Sequence, residues 1–366
     1  MDSQLTATDR AHLTRALELA EGGRGRVSPN PLVGAVIVRE GEVIGEGFHA
    51  ELGGLHAERA ALEDCRERGE DPGGATMYVT LEPCAHQGRQ PPCTEAILEA
   101  GIGRVVVASE DPSEKAAGRG PGILRDGGVE VELAAGEEAT AARLLNQPFR
   151  KHARTGLPLV VLKLAMSLDG QTTTPPGDSP WISGERSREL VHRWRAEADA
   201  TAVGIGTVLA DDPLLTARPA DAEAARQPLR VVFDRRARLP RDSQLLSTRD
   251  QSPVLVVADE VEAALADLGR RGITSLFLEG GKTLASAFLA ADAIDQTRTF
   301  IAPVLLGGGA SRAGGAVGGT TPEEALATAG GGGSPAATGP ARRSALSREV
   351  EHVGDDILIS ARFKEW

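Results

Sequence analysis

Thr80-Leu81-Glu82-Pro83-Cys84-Ala85-His86-Gln87-Gly88-Arg89-Gln90-Pro91-Pro92-Cys93, with His56-Ala57-Glu58 upstream, carries the densest chemistry in the chain. A catalytic zinc takes three protein ligands of imidazole or thiolate type and keeps a fourth position open. His56, Cys84 and Cys93 supply three, so one zinc per chain in an open site is expected. Glu58 lies two residues past His56 at the start of a helical pattern, where a carboxylate stands beside the metal without ligating it. That is the place for a proton shuttle. Zinc lowers the pKa of its bound water to about 7, and a carboxylate can pass the proton to a ring nitrogen and to leaving ammonia. Helix starts after His56 and Cys93 aim positive dipole ends at the site and favour thiolate. A closed zinc knuckle, with His49 or His86 as fourth ligand, is the bland alternative; it leaves Glu58 unexplained.

His-x-Glu followed by Pro-Cys and a second Cys is the signature of zinc nucleobase deaminases. One feature departs from it: eight residues separate the cysteines, where the commonest deaminases have two. Outward from the motif, apolar spacing predicts a helix through Leu13, Ala16, Leu17 and Ala20 that stops at Gly22-Gly23. Strands at 32–38 and 43–48 form a hairpin around Glu40-Gly41, and a helix at 56–68 leads to a strand at 75–81. A helix at 94–100 and a strand at 104–108 follow, an alternation that argues an α/β sheet.

A second α/β unit begins near Pro158. Short apolar runs at 159–164, 201–205, 229–233, 254–258, 273–278 and 299–301 alternate with helical patterns at 185–196, 260–269 and 283–289. At 366 residues two domains are expected, and the basic connection at 149–156 puts the boundary close to 150, giving units 1–149 and 150–366. The Gly/Ala-rich stretch 313–339 reads as a mobile loop.

Charge and composition exclude several partners. Forty Lys and Arg against 52 Asp and Glu leave a net of −12, which repels nucleic acid and anionic membrane alike. Any phosphate must be met by local cations. Aromatic residues make up 3%, too few for base-stacking platforms. Three cysteines, no apolar run of membrane-spanning length and no leader point to a reduced, cytoplasmic protein.

The run Thr80 to Cys93, together with Pro29-Asn30-Pro31-Leu32-Val33-Gly34, His56-Ala57-Glu58 and Asp111-Pro112, resembles the deaminase half of the bifunctional riboflavin-biosynthesis deaminase/reductases. The resemblance implies a cytidine-deaminase-like three-layer fold and a diaminopyrimidinone substrate carrying a ribosylamino 5′-phosphate. Asn30 would hydrogen-bond the pyrimidine, with His49, His86 and Arg89 near the sugar phosphate. Arg89 also has the right chemistry, as a cation on a loop beside the metal.

In the second unit there is no Gly-x-Gly-x-x-Gly; the phosphate candidate is the turn Glu279-Gly280-Gly281-Lys282-Thr283 between a strand and a helix. Lys163 to Gly170, Ser179 to Ser183, Gly206 to Arg218 and Glu279 to Gly281 are similar, in order, to the reductase half of the same family, whose fold is like dihydrofolate reductase. That implies NADPH reduction of the ribosyl group to a ribityl chain. Ala165, Trp181, Thr207, Asp211 and the turn Gly281, Lys282, Thr283, Leu284, Ala285, Ser286 and Ala287 would contact the cofactor. Ser179, Arg195, Leu215, Arg218 and Glu279 would face the substrate, the two arginines suiting its phosphate, with Lys163 or Asp169 polarising or protonating the sugar. A homo-oligomer is expected. A competing reading, a tRNA-type base deaminase with an appended binding domain, finds neither a basic stripe nor aromatic platforms here, and a third, a zinc-stabilised binding module, predicts that metal removal unfolds the first unit.

Overall fold

The computed structural model describes residues 5–88, 90–113, 116–175, 177–179, 181–220, 226–307 and 343–366. Arg89 and the Gly/Ala-rich stretch 313–339 lie outside them.

The chain opens with α1 (Ala7–Glu21), whose Thr6 cap and Asp9 satisfy each other's backbone N–H groups. Strands β1 (Gly34–Arg39) and β2 (Glu42–Phe48) pair antiparallel around Glu40 and Gly41, both at positive φ as a two-residue hairpin turn requires. Then come α2 (Ala57–Arg68), β3 (Thr76–Val79), α3 (Cys93–Glu99), β4 (Arg104–Val107), α4 (Arg119–Asp126), β5 (Glu130–Leu133) and α5 (Glu137–Leu145). The sheet order is β2-β1-β3-β4-β5, with β3, β4 and β5 parallel. Alternate residues of each strand serve two cores. Ala35, Ile37, Met77, Val79, Val105 and Val107 face α2, α3 and α4 through Ala57, Ala61, Ile97 and Leu124, while Val36, Tyr78 and Val106 face α1 and α5. The result is three layers, helix on sheet on helix.

Gly47 sets how close α2 lies to the sheet. A Cβ there would stand 2.3 Å from Ala61 N and 2.7 Å from Ala57 O. The first turn of α2, which carries the zinc motif, is therefore held against β2 by the lack of a side chain.

The basic connection at 149–156 folds as part of a helix, α6 (Gln147–Thr155), with Pro148 in its first turn and Gly156 as a left-handed cap. Arg150 and Lys151 are buried on it, which a solvated connection would not allow. Arg150 donates to Ser109 Oγ (3.1 Å), Glu110 O (3.1 Å), Glu110 Oε1 (2.8 Å) and Trp366 O (2.7 Å). Lys151 Nζ meets Asp295 Oδ2 at 2.6 Å.

Beyond α6 run β6 (Leu159–Ser167), α7 (Glu185–Glu197), β7 (Ala200–Gly204), α8 (Ile205–Asp211), β8 (Leu229–Phe233), α9 (Gln244–Ser247), β9 (Val254–Val257), α10 (Val261–Arg270), β10 (Ser275–Leu278), α11 (Lys282–Ala290), β11 (Gln296–Ala302), β12 (Ser347–Val353) and β13 (Asp356–Arg362). The eight-stranded order is β12-β13-β11-β6-β10-β7-β8-β9. The six strands from β11 to β9 are parallel, and β13 pairs antiparallel with β11 and β12. One core packs α10 and α11 on the sheet through Leu265, Leu268 and Phe288; the other packs α7 through Val191 and Trp194 against Phe277 and Phe300.

Asp295 is fully buried and also accepts from Val160 N (2.7 Å) and Trp366 Nε1 (3.0 Å). Removing one member of a buried ion pair typically costs about 3–5 kcal/mol. Asp295→Asn is expected to lower stability by an amount of that order in urea unfolding followed by tryptophan fluorescence, and Lys151→Met in the same background to recover part of it. A loss below about 1 kcal/mol, typical of surface pairs, would show that the pair does not hold the junction.

Candidate active sites

His56 caps α2, Cys93 opens α3, and Cys84 lies on the loop after β3. These elements bring the three ligand atoms within 4.8 Å of one another. Cys84 Sγ and Cys93 Sγ stand 3.5 and 3.4 Å from His56 Nδ1. Tetrahedral zinc, with bonds of about 2.3 Å to sulfur and about 2.0–2.1 Å to nitrogen, puts its S and N ligands about 3.5–3.6 Å apart, so the donor set fits zinc. Cys93 N donates to Cys84 Sγ at 3.3 Å, fixing one thiolate ahead of any metal. A hydrogen bond from the Cys93 thiol pulls Cys84 down to about 4, and the same bond pushes Cys93 up.

Glu58, in the first turn of α2, is 4% exposed. Burial, and then the Cys84 thiolate, push its carboxyl up to about 7, within reach of proton exchange at neutral pH. Asn30 Nδ2 donates to His49 Nε2 at 3.1 Å, and His49 Nδ1 donates to Leu55 O at 2.8 Å. Both His49 nitrogens are thus engaged. The ring meets His56 edge-on, 5.5 Å between centroids, and burial lowers its pKa, keeping it neutral. His49 therefore stands beside the ligand group and orients Asn30. His86 is exposed on the loop between the cysteines, and neither histidine joins the three-ligand group found among the described residues.

Glu82 escaped the sequence reading. It is buried just before Pro83-Cys84, and its carboxylate accepts from the N–H groups of Gly118 (3.0 Å), Gly120 (3.3 Å) and Asp111 (3.4 Å). It ties the cysteine loop to the segment leading into α4. Its one signal in the sequence is its place beside the motif.

The second cluster forms at the carboxyl ends of the parallel strands, where open α/β sheets bind ligands. Lys163 and Ala165 lie on β6, Gly204 leads into α8, and Glu279 to Gly281 join β10 to α11. The two helix starts are neighbours: a Cβ on Gly281 would stand 3.9 Å from Thr207 Oγ1, and one on Gly204 3.6 Å from Leu284 Cβ. Lys282, Thr283, Ser286 and Ala287 are exposed on α11 while Ala285 packs inward; Asp211 ends α8. Trp181 is 62% exposed, with the Arg188 guanidinium 5.3 Å from its ring centre, and the Trp181 backbone N–H donates to Ser179 Oγ at 3.3 Å.

Arg195, on α7, grips Glu279 with both arms, Nε to Oε1 at 2.6 Å and Nη2 to Oε2 at 2.9 Å. Burial works to raise the Glu279 carboxyl; Arg195, with help from Lys163, overrides it and keeps Glu279 ionised. Burial in turn lowers the Lys163 ammonium, against Glu279's pull. Thr216 is the other meeting point. Its carbonyl accepts from Arg195 Nη1 (3.3 Å) and His192 Nδ1 (3.2 Å), and its hydroxyl accepts from Arg218 Nη1 (2.7 Å). The two arginines converge as the sequence suggested, but Arg195 is committed to a carboxylate and Arg218 is the exposed one.

Asp169 takes a different place from Lys163. It accepts from Ser167 Oγ (2.5 Å), Leu306 N (3.1 Å) and Gly307 N (2.8 Å), holding the turn after β6 to the segment after β11. Arg230 was also missed. Fully buried on β8, it donates to Leu214 O (3.0 Å), Thr248 Oγ1 (2.8 Å) and the carbonyls of Leu245, Thr248 and Ser252. That anchors Leu215, which is buried at φ 54°, a strained backbone for a leucine.

Residues 6–109 match the cytidine and deoxycytidylate deaminase zinc-binding region, and residues 158–325 match the RibD C-terminal domain. The riboflavin biosynthesis protein RibD of Escherichia coli is 39% identical over 330 residues, covering 82% of this chain and 89% of that protein. Its counterpart from Mycobacterium tuberculosis is 43% identical over 306 residues, covering 83% and 87%. The structure of Acinetobacter baumannii RibD superposes with a TM-score of 0.82 at 36% identity over 98% of this chain and 99% of that one. A Thermotoga maritima diaminohydroxyphosphoribosylaminopyrimidine deaminase/5-amino-6-(5-phosphoribosylamino)uracil reductase gives 0.82 at 34% identity over the same shares. Two family matches on one chain, and identity sustained across both units, show that the chain belongs to the RibD family of bifunctional riboflavin-biosynthesis deaminase/reductases.

Proposed function

We propose that the N-terminal unit hydrolytically deaminates 2,5-diamino-6-ribosylamino-4(3H)-pyrimidinone 5′-phosphate, and that the C-terminal unit then reduces the ribosyl group with NADPH to 5-amino-6-ribitylaminouracil 5′-phosphate. The observation that carries the first step is a three-donor group of zinc dimensions with a buried carboxyl two residues from one donor. The units divide near residue 150, within α6: elements up to α5 serve the five-stranded sheet and those from β6 onward the eight-stranded one.

His56, Cys84 and Cys93 would hold the zinc, which would supply Lewis-acid activation of water. Glu58 takes one proton from the attacking water and gives it to the ring nitrogen, then takes the second from the hydroxyl left on carbon and gives it to the amino group, which departs as ammonia; burial that raises its carboxyl suits it to both transfers. Asn30, oriented by His49, holds the pyrimidine. His86 and Arg89, on the loop between the cysteines, are assigned to the sugar phosphate.

In the second unit NADPH supplies the hydride. Thr207, Asp211, Ala165, Trp181 and the turn from Gly281 to Ala287 are assigned to it, supported by the adjoining starts of α8 and α11. Of the two candidates for protonating the sugar, Lys163 is favoured: it lies within the field of Glu279, whereas Asp169 is bound to Leu306 and Gly307. Arg218 takes the phosphate, while Arg195 fixes Glu279 and Thr216; Ser179 and Leu215 complete the substrate side.

No nucleic acid and no membrane belong to this reading. A net charge of −12 supports it, and no helix among the described residues is long and apolar enough to cross a membrane. Three cysteines outside any disulfide, two of them assigned to zinc, support a reduced, cytoplasmic setting. Self-association is supported by the edge strand β12, where Val350 is 63% exposed, and by Leu346 just before it at 62%.

Cys84→Ser should abolish ammonia release while NADPH oxidation with already deaminated substrate persists; loss of both in a folded protein would count against independent sites. Glu58→Gln should keep zinc, by metal analysis, and lose about 10²–10⁴-fold in deamination rate. Arg218→Ala should raise the reductase KM for the phosphorylated substrate roughly ten- to hundredfold, as expected for a lost charged hydrogen bond of about 1.5–3 kcal/mol. An unphosphorylated analogue should show no such change.

A further inference from the structure

The segment from Gly22 to Val33, between α1 and β1, carries Asn30 near its far end and rests its middle on the reductase unit. Gly25 sits at φ 74° against the end of α7, where a Cβ would stand 2.9 Å from Ala196 O and 3.3 Å from Glu197 Cα. Three residues on, Ser28 Oγ lies 3.2 Å from Thr274 Oγ1, just before β10. Thr274 is itself immobilised. Its N–H and its hydroxyl both donate to Asp199 Oδ2, at 2.8 and 2.7 Å, and Ser275 N donates there too at 3.1 Å. A carboxylate only accepts, so the Thr274 hydroxyl proton is committed to Asp199 and Ser28 is the donor to Thr274. Arg226 holds the other carboxylate oxygen at 3.0 Å. Asp199 and Thr274 are 2% and 4% exposed.

From Ser28 the path into the deaminase site is short. Asn30 N donates to Val27 O at 2.9 Å, which closes the turn, and the Asn30 amide meets His49, whose ring packs on His56. A fixed point at the amino end of the reductase sheet thus continues, contact by contact, to the residue assigned to the pyrimidine.

We propose that Ser28 and Thr274 are positioning residues for deamination: the reductase unit fixes the turn that presents Asn30, so the deaminase pocket is complete only with the second unit docked. This rests on the reading of Asn30 given above. The bond should act on substrate binding rather than turnover, because Asn30 is assigned to the pyrimidine, while the turn makes no hydrogen bond to Glu58, Cys84 or Cys93 and meets His56 only through the ring of His49. It should leave reduction alone, because the reductase cluster lies at the opposite, carboxyl ends of the strands.

The test uses the full-length chain with steady-state kinetics of ammonia release, and of NADPH oxidation with deaminated substrate. Ser28→Ala and Thr274→Val should each raise the deaminase KM about fivefold, equivalent to the roughly 1 kcal/mol of a typical hydrogen bond. Deamination kcat and both reductase constants should stay within about twofold of the unmodified chain. The double variant should be no worse than the more affected single, the sign of a shared interaction. Thr274→Ser, which keeps the hydroxyl, should restore the KM. Ser28→Ala removes only a donor and leaves the Asp199 network whole, so it carries the test even if Thr274→Val unfolds. Asn30→Ala separates the two ideas. If it raises KM while Ser28→Ala and Thr274→Val do not, the interdomain contact does not position the loop and the proposal fails. If Asn30→Ala leaves KM unchanged, the assignment of Asn30 fails and takes the proposal with it.

Discussion

Asp295 has no exposed surface, and a carboxylate without water is stable only when its partners replace the lost hydration. Lys151 supplies the charge, and Val160 N–H and Trp366 Nε1–H supply the remaining donors. This constraint fixes three things at once. Lys151 fixes the rotation of α6, Val160 the first residues of β6, and Trp366 the final residue of the chain beside both. Because Arg150 on the same helix reaches back to Ser109, Glu110 and Trp366, the rotation of α6 also sets where the five-stranded sheet stands relative to the eight-stranded one. His152 adds a further tie, donating through Nε2 to Gly269 O at 3.0 Å.

The two candidate sites depend on that arrangement to different degrees. The zinc donors sit on two helix starts and one loop of a single domain, and their spacing depends on α2 lying close over Gly47. The Asn30 side of the same pocket depends on a turn that touches α7 and Thr274 of the other domain. The reductase cluster depends on parallel register: Leu278 stands beside Leu162 and Ala202, which puts Glu279 next to Lys163 on one side and Val203, just before Gly204, on the other.

What could be read from the sequence follows the range of the interactions. His56, Cys84 and Cys93 were legible as a ligand set because zinc takes imidazole and thiolate donors, residue types that a single chain displays, and the structure brings the three together. The parallel strands were legible as apolar runs because both of their faces are buried. The helical state of 147–155 was not. Arg150 and Lys151 look like a solvated basic stretch, since such residues are seldom buried without partners, and Lys151's partner lies 144 positions away. The same holds for Arg195: an exposed helix face and a phosphate ligand were the readings on offer, and a bidentate grip on Glu279, 84 positions off, emerges only in three dimensions. Asp169 was close in sequence to Lys163 but is turned to the amides of Leu306 and Gly307. The short elements α4, β5 and α5 lack a periodic signal strong enough to stand alone, as does the exposed strand β12.

Net charge gives the last step. A chain at −12 has to hold a phosphorylated substrate and a phosphorylated cofactor, against a repulsive long-range field. The reductase cluster answers locally: Arg195 grips Glu279, Lys163 lies within the same field, and Arg218 meets Arg195 at Thr216. Glu279 cancels one of them and draws Arg195 out of reach of a phosphate, yet without it three positive groups would face one another at the end of the sheet. The like charge of Arg195 already lowers the pKa of Arg218, behind the larger effect of burial. A buried carboxylate that neutralises Arg195 thus lets the Arg218 guanidinium stand close to it, and its pull on Lys163 opposes the burial that lowers that ammonium. Arg218 is left exposed at the edge of the cluster and outside the Arg195–Glu279 ion pair, so an anion reaching it would break no existing pair.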